Sequence, residues 1–392
     1  MSAKRIRTWA RITQSDRSSR IEHGSLTTGL NNEPIRVLNI AKRILGCVIL
    51  IGFASSSFGQ SAHSTPLRLP PTRAGAANLK IEGVNYVPIS DLQRRCGFHA
   101  TWLKKDEQLI LKNERWRLEL NVNSREADLN GLRILLGEPC RLQKRVAYLS
   151  KVDAERLLGP VLRPGYLQPA VPDLRVIAID PGHGGVDNGT QNVRLGLREK
   201  VLTLDVAVRL GRILRAEGYK VVFTRETDTR VELPIRAATA NTYGADLFIS
   251  LHFNSLPRDR KTNGVEVFTF APAGVRSTDA WGSKVDDTEN DPAPVNKHDH
   301  WCSVAAYALH REMLGTLKTF DRGKKIAHFG VLRGLNCPGV LVEAGFLSSD
   351  TEASKIATHE YRQKIAESIA SGIRSYASTL SALRASESKK AN

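Results

Sequence analysis

The chain has 392 residues, 41% of them hydrophobic, and a formal net charge of +17. That length holds one large domain or two, and the composition is globular rather than disordered or fibrous. The charge suits an anionic partner, but no nucleic-acid motif appears and the basic stretches carry no interleaved aromatics, so no nucleic-acid partner is expected.

Residues 1–43 hold nine Lys/Arg against three Asp/Glu, a net +6. The apolar run Ile44–Ala54 follows. It is too short for the roughly 20 residues that a spanning helix needs. A basic segment, a short apolar core and small residues after it predict an export signal over 1–59, with Ser57-Phe-Gly59 as a cleavage site. The protein is therefore expected outside the cytoplasm, in the periplasm or cell envelope. Membrane contact is expected only through this signal or anchor. Of the five cysteines, removal of Cys47 leaves Cys96, Cys140, Cys302 and Cys337. An even count in an exported protein permits disulfides, Cys302–Cys337 first and Cys96–Cys140 second.

Residues 60–78, with Pro66, Pro70 and Pro71, read as a linker. A small α+β accessory domain is expected over 79–160. It contains an echo at an offset of 62: Val84-x-Tyr86 leading to Asp91, and Val146-x-Tyr148 leading to Asp153. Each copy predicts a short strand running into a short helix. Between them, Leu109-Ile-Leu and Trp116–Val122 alternate as hairpin strands, and Asp128-Leu-Asn-Gly131 is turn chemistry. Pro164, Pro169 and Pro172 mark a second linker over 161–173.

From 174 to 378 the pattern alternates strand and helix. Strands are predicted at Leu174–Asp180, Val221–Phe223, Leu247–Leu251, Val265–Phe268 and Val340–Val342. Leu202, Val206, Leu210 and Ile213 stripe one helix, and Tyr361, Ile365, Ile369 and Ile373 another. Helices are also expected from Pro234 to about Asn241 and over Ser303–Leu317, with 271–301 as a polar loop and 379–392 as a polar tail. Such alternation predicts a sheet covered on both faces.

Four residues sit at or beside the predicted strand ends. His183 lies in Asp180-Pro-Gly-His-Gly-Gly185, Glu199 opens a helix, His252 follows Leu251, and Glu343 follows Val342. A lone histidine there is ordinarily structural, and Glu199 alone would favour a helix dipole. Neighbouring strands would bring all four together. Two imidazoles and a carboxylate, His183, Glu199 and His252, suit zinc with one position left for water. Glu343 is then the spare carboxylate, free to take that water's proton. Asp180 is the expected acceptor for the second nitrogen of His183. His298, His300, His310, His328 and His359 show no paired spacing.

Together, Ile179–Gly185, Glu199, Asp228-Thr-Arg230, Arg236–Asn241, Asp246–Asn254 and Val342–Leu347 resemble the zinc-dependent N-acetylmuramoyl-L-alanine amidases of bacterial cell walls. The resemblance spans 174–377. It implies a phosphorylase/hydrolase-like α/β fold, a mixed six-stranded sheet with helices on both faces. It implies hydrolysis of the amide between the lactyl group of N-acetylmuramic acid and L-alanine in peptidoglycan. It carries His183, Glu199 and His252 over as Zn2+ ligands and Glu343 as catalytic. Tyr86–Leu92 and Asp128–Gly131 resemble the small amino-terminal domain of copper amine oxidases, an add-on in secreted wall enzymes, with no copper site implied. The 271–301 loop exceeds what a minimal catalytic domain needs. It suits either a substrate-side loop or a plug on which an activator protein acts. The rivals are a zinc peptidase or deacetylase on a similar sheet, and a wall-binding protein with a dead site.

Overall fold

The computed structural model describes residues 67–68, 77–165, 167, 170–256, 258–280 and 286–391. The expected export signal and nearly all of the 60–78 linker lie outside them. Among the described residues, no helix is long and apolar enough to cross a membrane.

The amino-terminal module contains strands β1 (Leu67–Arg68), β2 (Leu79–Ile81) and β3 (Val84–Pro88), helix α1 (Ile89–Cys96), and strands β4 (His99–Lys104), β5 (Gln108–Lys112), β6 (Arg117–Asn121), β7 (Glu126–Leu129), β8 (Leu132–Leu135), β9 (Arg141–Gln143) and β10 (Val146–Ser150). The two echo strands pair with each other: β3 and β10 run antiparallel, with Tyr86 opposite Ser150. The second copy continues into a π-helical turn, Asp153–Leu158, and helix α2 (Gly159–Leu162). Asn130 and Gly131 take φ of 54° and 82° and close the β7–β8 hairpin. Two left-handed residues give the turn a twist that matches the strands.

The second region holds β11 (Val176–Pro181), β12 (Gln191–Asn192), β13 (Leu197–Arg198), α3 (Glu199–Ala216), β14 (Lys220–Phe223), α4 (Leu233–Thr242), β15 (Leu247–Asn254), β16 (Val265–Phe270), α5 (Asp299–Leu317), β17 (Asp321–Ala327), α6 (Gly330–Arg333), β18 (Gly339–Phe346), α7 (Asp350–Ile356) and α8 (His359–Ala391). Strand side chains alternate between two cores. Ile177, Ile249, Val267 and Val342 pack under α3, α5 and α8. Ala178, Phe248, Phe268 and Leu341 pack towards α4 and α6. Helices thus cover both faces, as the pattern predicts.

Four expectations need correction. The sheet does not stop at six strands. Residues 174–378 supply six, and the module continues it to twelve, in the order β1-β4-β5-β6-β7-β8-β17-β16-β18-β15-β11-β14. The join is the parallel pair β8–β17, with Ile134 opposite Lys324. Residues 161–173 are not a bare connector, because Val161 and Leu162 are buried in the module core together with Tyr307 of α5. Residues 379–391 are not a loose tail but the last turns of α8, with Leu380 1% exposed. The four described cysteines are free thiols. Cys302 Sγ accepts the Gly339 N–H at 3.3 Å, so it faces the start of β18 rather than a partner thiol.

Candidate active site

β11, β15 and β18 are parallel neighbours, so their carboxyl ends share one rim of the sheet. His252 and Glu343 stand directly opposite each other across β15 and β18. Both strands run on to Asn254 and Phe346, so these side chains lie within the strands rather than just past them.

The His183 turn is held from below by two buried guanidinium groups. Arg225 donates to the carbonyls of Pro181 (2.9 Å) and Gly182 (2.8 Å). Arg236 donates to Pro181 (2.8 Å) and to His183 O (2.8 Å). His183 has a φ of 63°, a left-handed conformation that a non-glycine residue adopts only when its surroundings hold it there. Asp180 does not face the His183 ring. Its carboxylate accepts from Arg236 (2.7 Å), Thr224 (2.5 Å) and Ser250 (2.7 Å). The acceptor of the His183 ring is Asp187, with Nδ1 and Oδ2 2.8 Å apart. The paired Gly184 and Asp187 backbones bend the chain back to place it there. The available sequence signal was a carboxylate four residues beyond the histidine, across a Gly-Gly turn.

Glu199 opens α3 and is 3% exposed. Its Oε1 accepts from Phe253 N (3.0 Å) and faces His252 Nδ1 at 2.9 Å. Its Oε2 accepts from Thr190 N (2.7 Å) and faces His183 Nε2 at 3.1 Å. The ligand atoms of His183, Glu199 and His252 lie within 4.8 Å of one another, and no other such cluster occurs among the described residues. Two glycines make room for it. A Cβ on Gly182 would lie 2.3 Å from the His252 ring, and one on Gly189 would lie 2.5 Å from Glu199 Oε2.

This donor set fits a zinc-type cation. It has two imidazole nitrogens and a carboxylate, and the first imidazole is fixed through its other nitrogen. Without a cation, protons take up the same contacts. Burial lowers the His183 pKa, but hydrogen bonds to Asp187 and Glu199 outweigh it and raise the value to about 10. Burial works to raise that of Glu199, and the two histidines pull it down instead.

Glu343 is half-buried beside this cluster, and its Oε2 is buried with no hydrogen-bond partner among the described residues. Burial, then the charges of Glu199 and Glu266, push its pKa well above the usual carboxylate range. Glu266, absent from the sequence prediction, faces Glu343 from β16. It is held by Asn254 (2.8 Å), Arg322 (3.0 Å) and Lys325 (3.0 Å). Lys325 also binds Asp279 at 2.9 Å, which brings the 271–301 loop to the edge of the site. The described part of that loop is irregular apart from two 3₁₀ turns, Thr278–Ala280 and Pro294–His298, and the start of α5 at Asp299. It is not free along its length, because Ala293 and Val295 are buried in the core. Three further histidines have partners within the fold: His300 faces Pro164 O, His310 faces Asp321, and His328 faces Val275 O.

Residues 177–375 match the family model for N-acetylmuramoyl-L-alanine amidase. The chain is similar to the sporulation-specific N-acetylmuramoyl-L-alanine amidase of Bacillus subtilis (strain 168), at 34% identity over 50% of this chain and 66% of that protein. It is similar to the amidase AmiA of Escherichia coli (strain K12), at 31% identity over 52% of this chain and 76% of that protein. Among solved structures it is similar to an N-acetylmuramoyl-L-alanine amidase from Clostridium difficile 630, at 30% identity and a TM-score of 0.44, covering 52% of this chain and 97% of that one. With a family model that spans half its length and lies over the His183, Glu199, His252 and Glu343 cluster, the chain belongs to the N-acetylmuramoyl-L-alanine amidase family.

Proposed function

We propose that the protein is a zinc-dependent amidase that hydrolyses the bond between the lactyl group of N-acetylmuramic acid and L-alanine in peptidoglycan. His183, Glu199 and His252 would hold the ion. When bound, zinc supplies Lewis acidity and lowers the pKa of a water to about 7. The observation that carries this reading is the register of β15 and β18, which sets Glu343, whose Oε2 has no hydrogen-bond partner among the described residues, beside the three-residue cluster.

In this reaction Glu343 takes a proton from the attacking water. The water oxygen bonds to the lactyl carbonyl carbon, the C–N bond breaks, and Glu343 returns the proton to the L-alanine nitrogen. The products are a lactyl carboxylate and a free amine. One carboxylate can serve both halves of this transfer, first accepting the proton and then returning it. Asp187 keeps the His183 Nδ1 proton in place, so Nε2 presents its lone pair to the ion. The activity places the protein with the wall, which is consistent with the export signal predicted over 1–59. Asp279 would be the point through which an activator acting on the 271–301 loop reaches the site. The module over 79–160 has only one histidine, the exposed His99, and is assigned no metal chemistry.

The test is a comparison of variants. Glu343→Gln keeps shape but cannot accept the proton. It should lose about 10²–10⁴-fold in rate while retaining zinc. His183→Ala and His252→Ala should lose the metal itself, read by plasma spectrometry. A Glu343→Gln protein that purifies without zinc would move Glu343 into the ligand set. Release of acetate instead of L-alanine amino termini from purified wall would favour a deacetylase.

A further inference from the structure

Glu266 has no part in the reaction described above, yet it is a charged residue only 2% exposed beside Glu343. A carboxylate buried that deeply is costly unless its charge is answered. Here both oxygens are taken. Oε2 accepts from Asn254 Nδ2 at 2.8 Å, and Oε1 accepts from Arg322 Nε and from Lys325 Nζ, each at 3.0 Å. The donors come from β15 on one side of Glu266 and from β17 on the other. Lys325 is held further by Asp279 at 2.9 Å, and the Arg322 guanidinium lies 5.1 Å from the Phe346 ring. The charges therefore close among themselves: Arg322 and Lys325 stand against Glu266 and Asp279.

Glu343 is placed to compete for the same donors. It stands directly opposite Glu266 in the antiparallel pair of β16 and β18. Side chains so placed have Cβ atoms about 4.5–5.5 Å apart. A long cation that reaches one carboxylate can reach the other by a change of rotamer. Yet Glu343 Oε2, though buried, has no hydrogen-bond partner among the described residues, and both cations turn to Glu266 instead. That choice matters for the chemistry. A charge-assisted bond from either cation would draw Glu343 towards β17 and occupy the oxygen that has to take the proton.

We propose that Glu266 is a positioning residue: it engages Arg322 and Lys325 so that neither pairs with Glu343, and it thereby leaves the Glu343 carboxylate free beside His183, Glu199 and His252. The inference rests on the base role proposed above for Glu343. Removing the charge of Glu266 leaves one cation in excess, and Glu343 becomes the nearest acceptor for it.

The test is a set of substitutions in the whole protein. Glu266→Gln should lower kcat on a soluble muropeptide about 10–100-fold with little change in KM, short of the roughly 10²–10⁴-fold that the base itself supplies. Glu266→Asp keeps the charge and should retain more of kcat. Adding Lys325→Met to Glu266→Gln restores the charge balance. That double variant should be faster than Glu266→Gln and within about threefold of Lys325→Met alone. A merely structural carboxylate gives the opposite order, because two buried contacts are then lost instead of one. A second readout needs no substrate. Lys325→Met and Glu343→Gln should be non-additive in urea midpoint when combined with Glu266→Gln, where the two side chains pair, and additive without it. Zinc content should match that of the unmodified protein throughout. A double variant slower than Glu266→Gln, additive midpoints in both backgrounds, or loss of zinc from Glu266→Gln each overturns the proposal. If Glu266→Gln does not fold, the charge-balanced double variant must still fold and cleave; failure of both also overturns it. An unmodified protein that cleaves nothing, with the midpoints non-additive as expected, sinks the amidase assignment while the hold of Glu266 on the cations stands.

Discussion

Removing the module should destabilise the catalytic region severely. The perturbation is a comparison of residues 63–392, which form one contact unit, with residues 174–392 alone. Truncation uncovers Tyr307, which is 6% exposed and meets Trp116 edge-on at 5.8 Å. It also uncovers Ile326, which is fully buried against Leu157 and Val275. Each such side chain contributes about 1.5–3 kcal/mol by burial. Asp299, itself 6% exposed, loses its 2.8 Å contact with Arg156, and an unmatched buried polar group costs about 1–3 kcal/mol. The total is roughly 4–9 kcal/mol, against about 5–15 kcal/mol for an ordinary folded protein. Urea unfolding followed by circular dichroism and by tryptophan fluorescence should give one transition for 63–392. The module tryptophans Trp102 and Trp116 and Trp301 of α5 should report it together. The shorter fragment should unfold at much lower urea or fail to stay soluble. An equal midpoint for the fragment, or a separate earlier transition for the module, would refute the reasoning.

Three further outcomes are expected. Asp187→Asn should weaken zinc binding about 10–100-fold by chelator competition, since it replaces the charged acceptor at the second nitrogen of His183 with a neutral amide. Gly189→Ala should also lose zinc, because its Cβ would press on Glu199 and His183 at a φ of 62°; a variant with normal metal content would show that the loop can shift. Lys324 is 2% exposed, and burial lowers its pKa from 10.5 to about 8. Between those values the unfolded chain keeps a proton that the folded chain has lost. Stability from this group therefore rises with pH across the window, by at most about 3 kcal/mol. Lys324→Met should flatten that rise, seen as the difference between the urea midpoints of the two proteins at each pH.

The candidate site was legible because its residues sit where strand pattern and chemistry coincide. Val176–Ile179 reads as a buried strand, and Pro181 and Gly182 mark its end, so His183 had to lie on the rim. The same logic placed His252 and Glu343. Asp180 was misjudged because distance along the chain suggested a partner that geometry denies. In a strand, Asp180 points to the face where Arg236 and Ser250 lie, while the reversed turn after His183 brings Asp187 back. Glu266 was invisible for a related reason. Within Val265–Phe270 it looks like an ordinary exposed strand residue, and only the pairing of β16 with β18 turns it towards Glu343.

The strand that escaped notice explains the misjudged architecture. β17 is Asp321-Arg-Gly-Lys-Lys-Ile-Ala327, with four charged residues and a glycine in seven positions. Neither an apolar run nor an alternation survives there. Each polar group is answered by an element far away in sequence. Asp321 accepts from Arg133 N and faces His310, Lys324 reaches Ser303, and Arg322 and Lys325 bind Glu266. None of those partners can be read from 321–327 alone. Without β17 the catalytic sheet ends at β16, and nothing remains for the module to join. With it, β8 has an edge to pair with, and Val161 and Leu162, which look like the start of a linker, are buried in the module core. The polarity that hid β17 also sets it apart from an edge strand: its inward lysine lies over α5, its outward cations brace Glu266, and its far edge is occupied by the module.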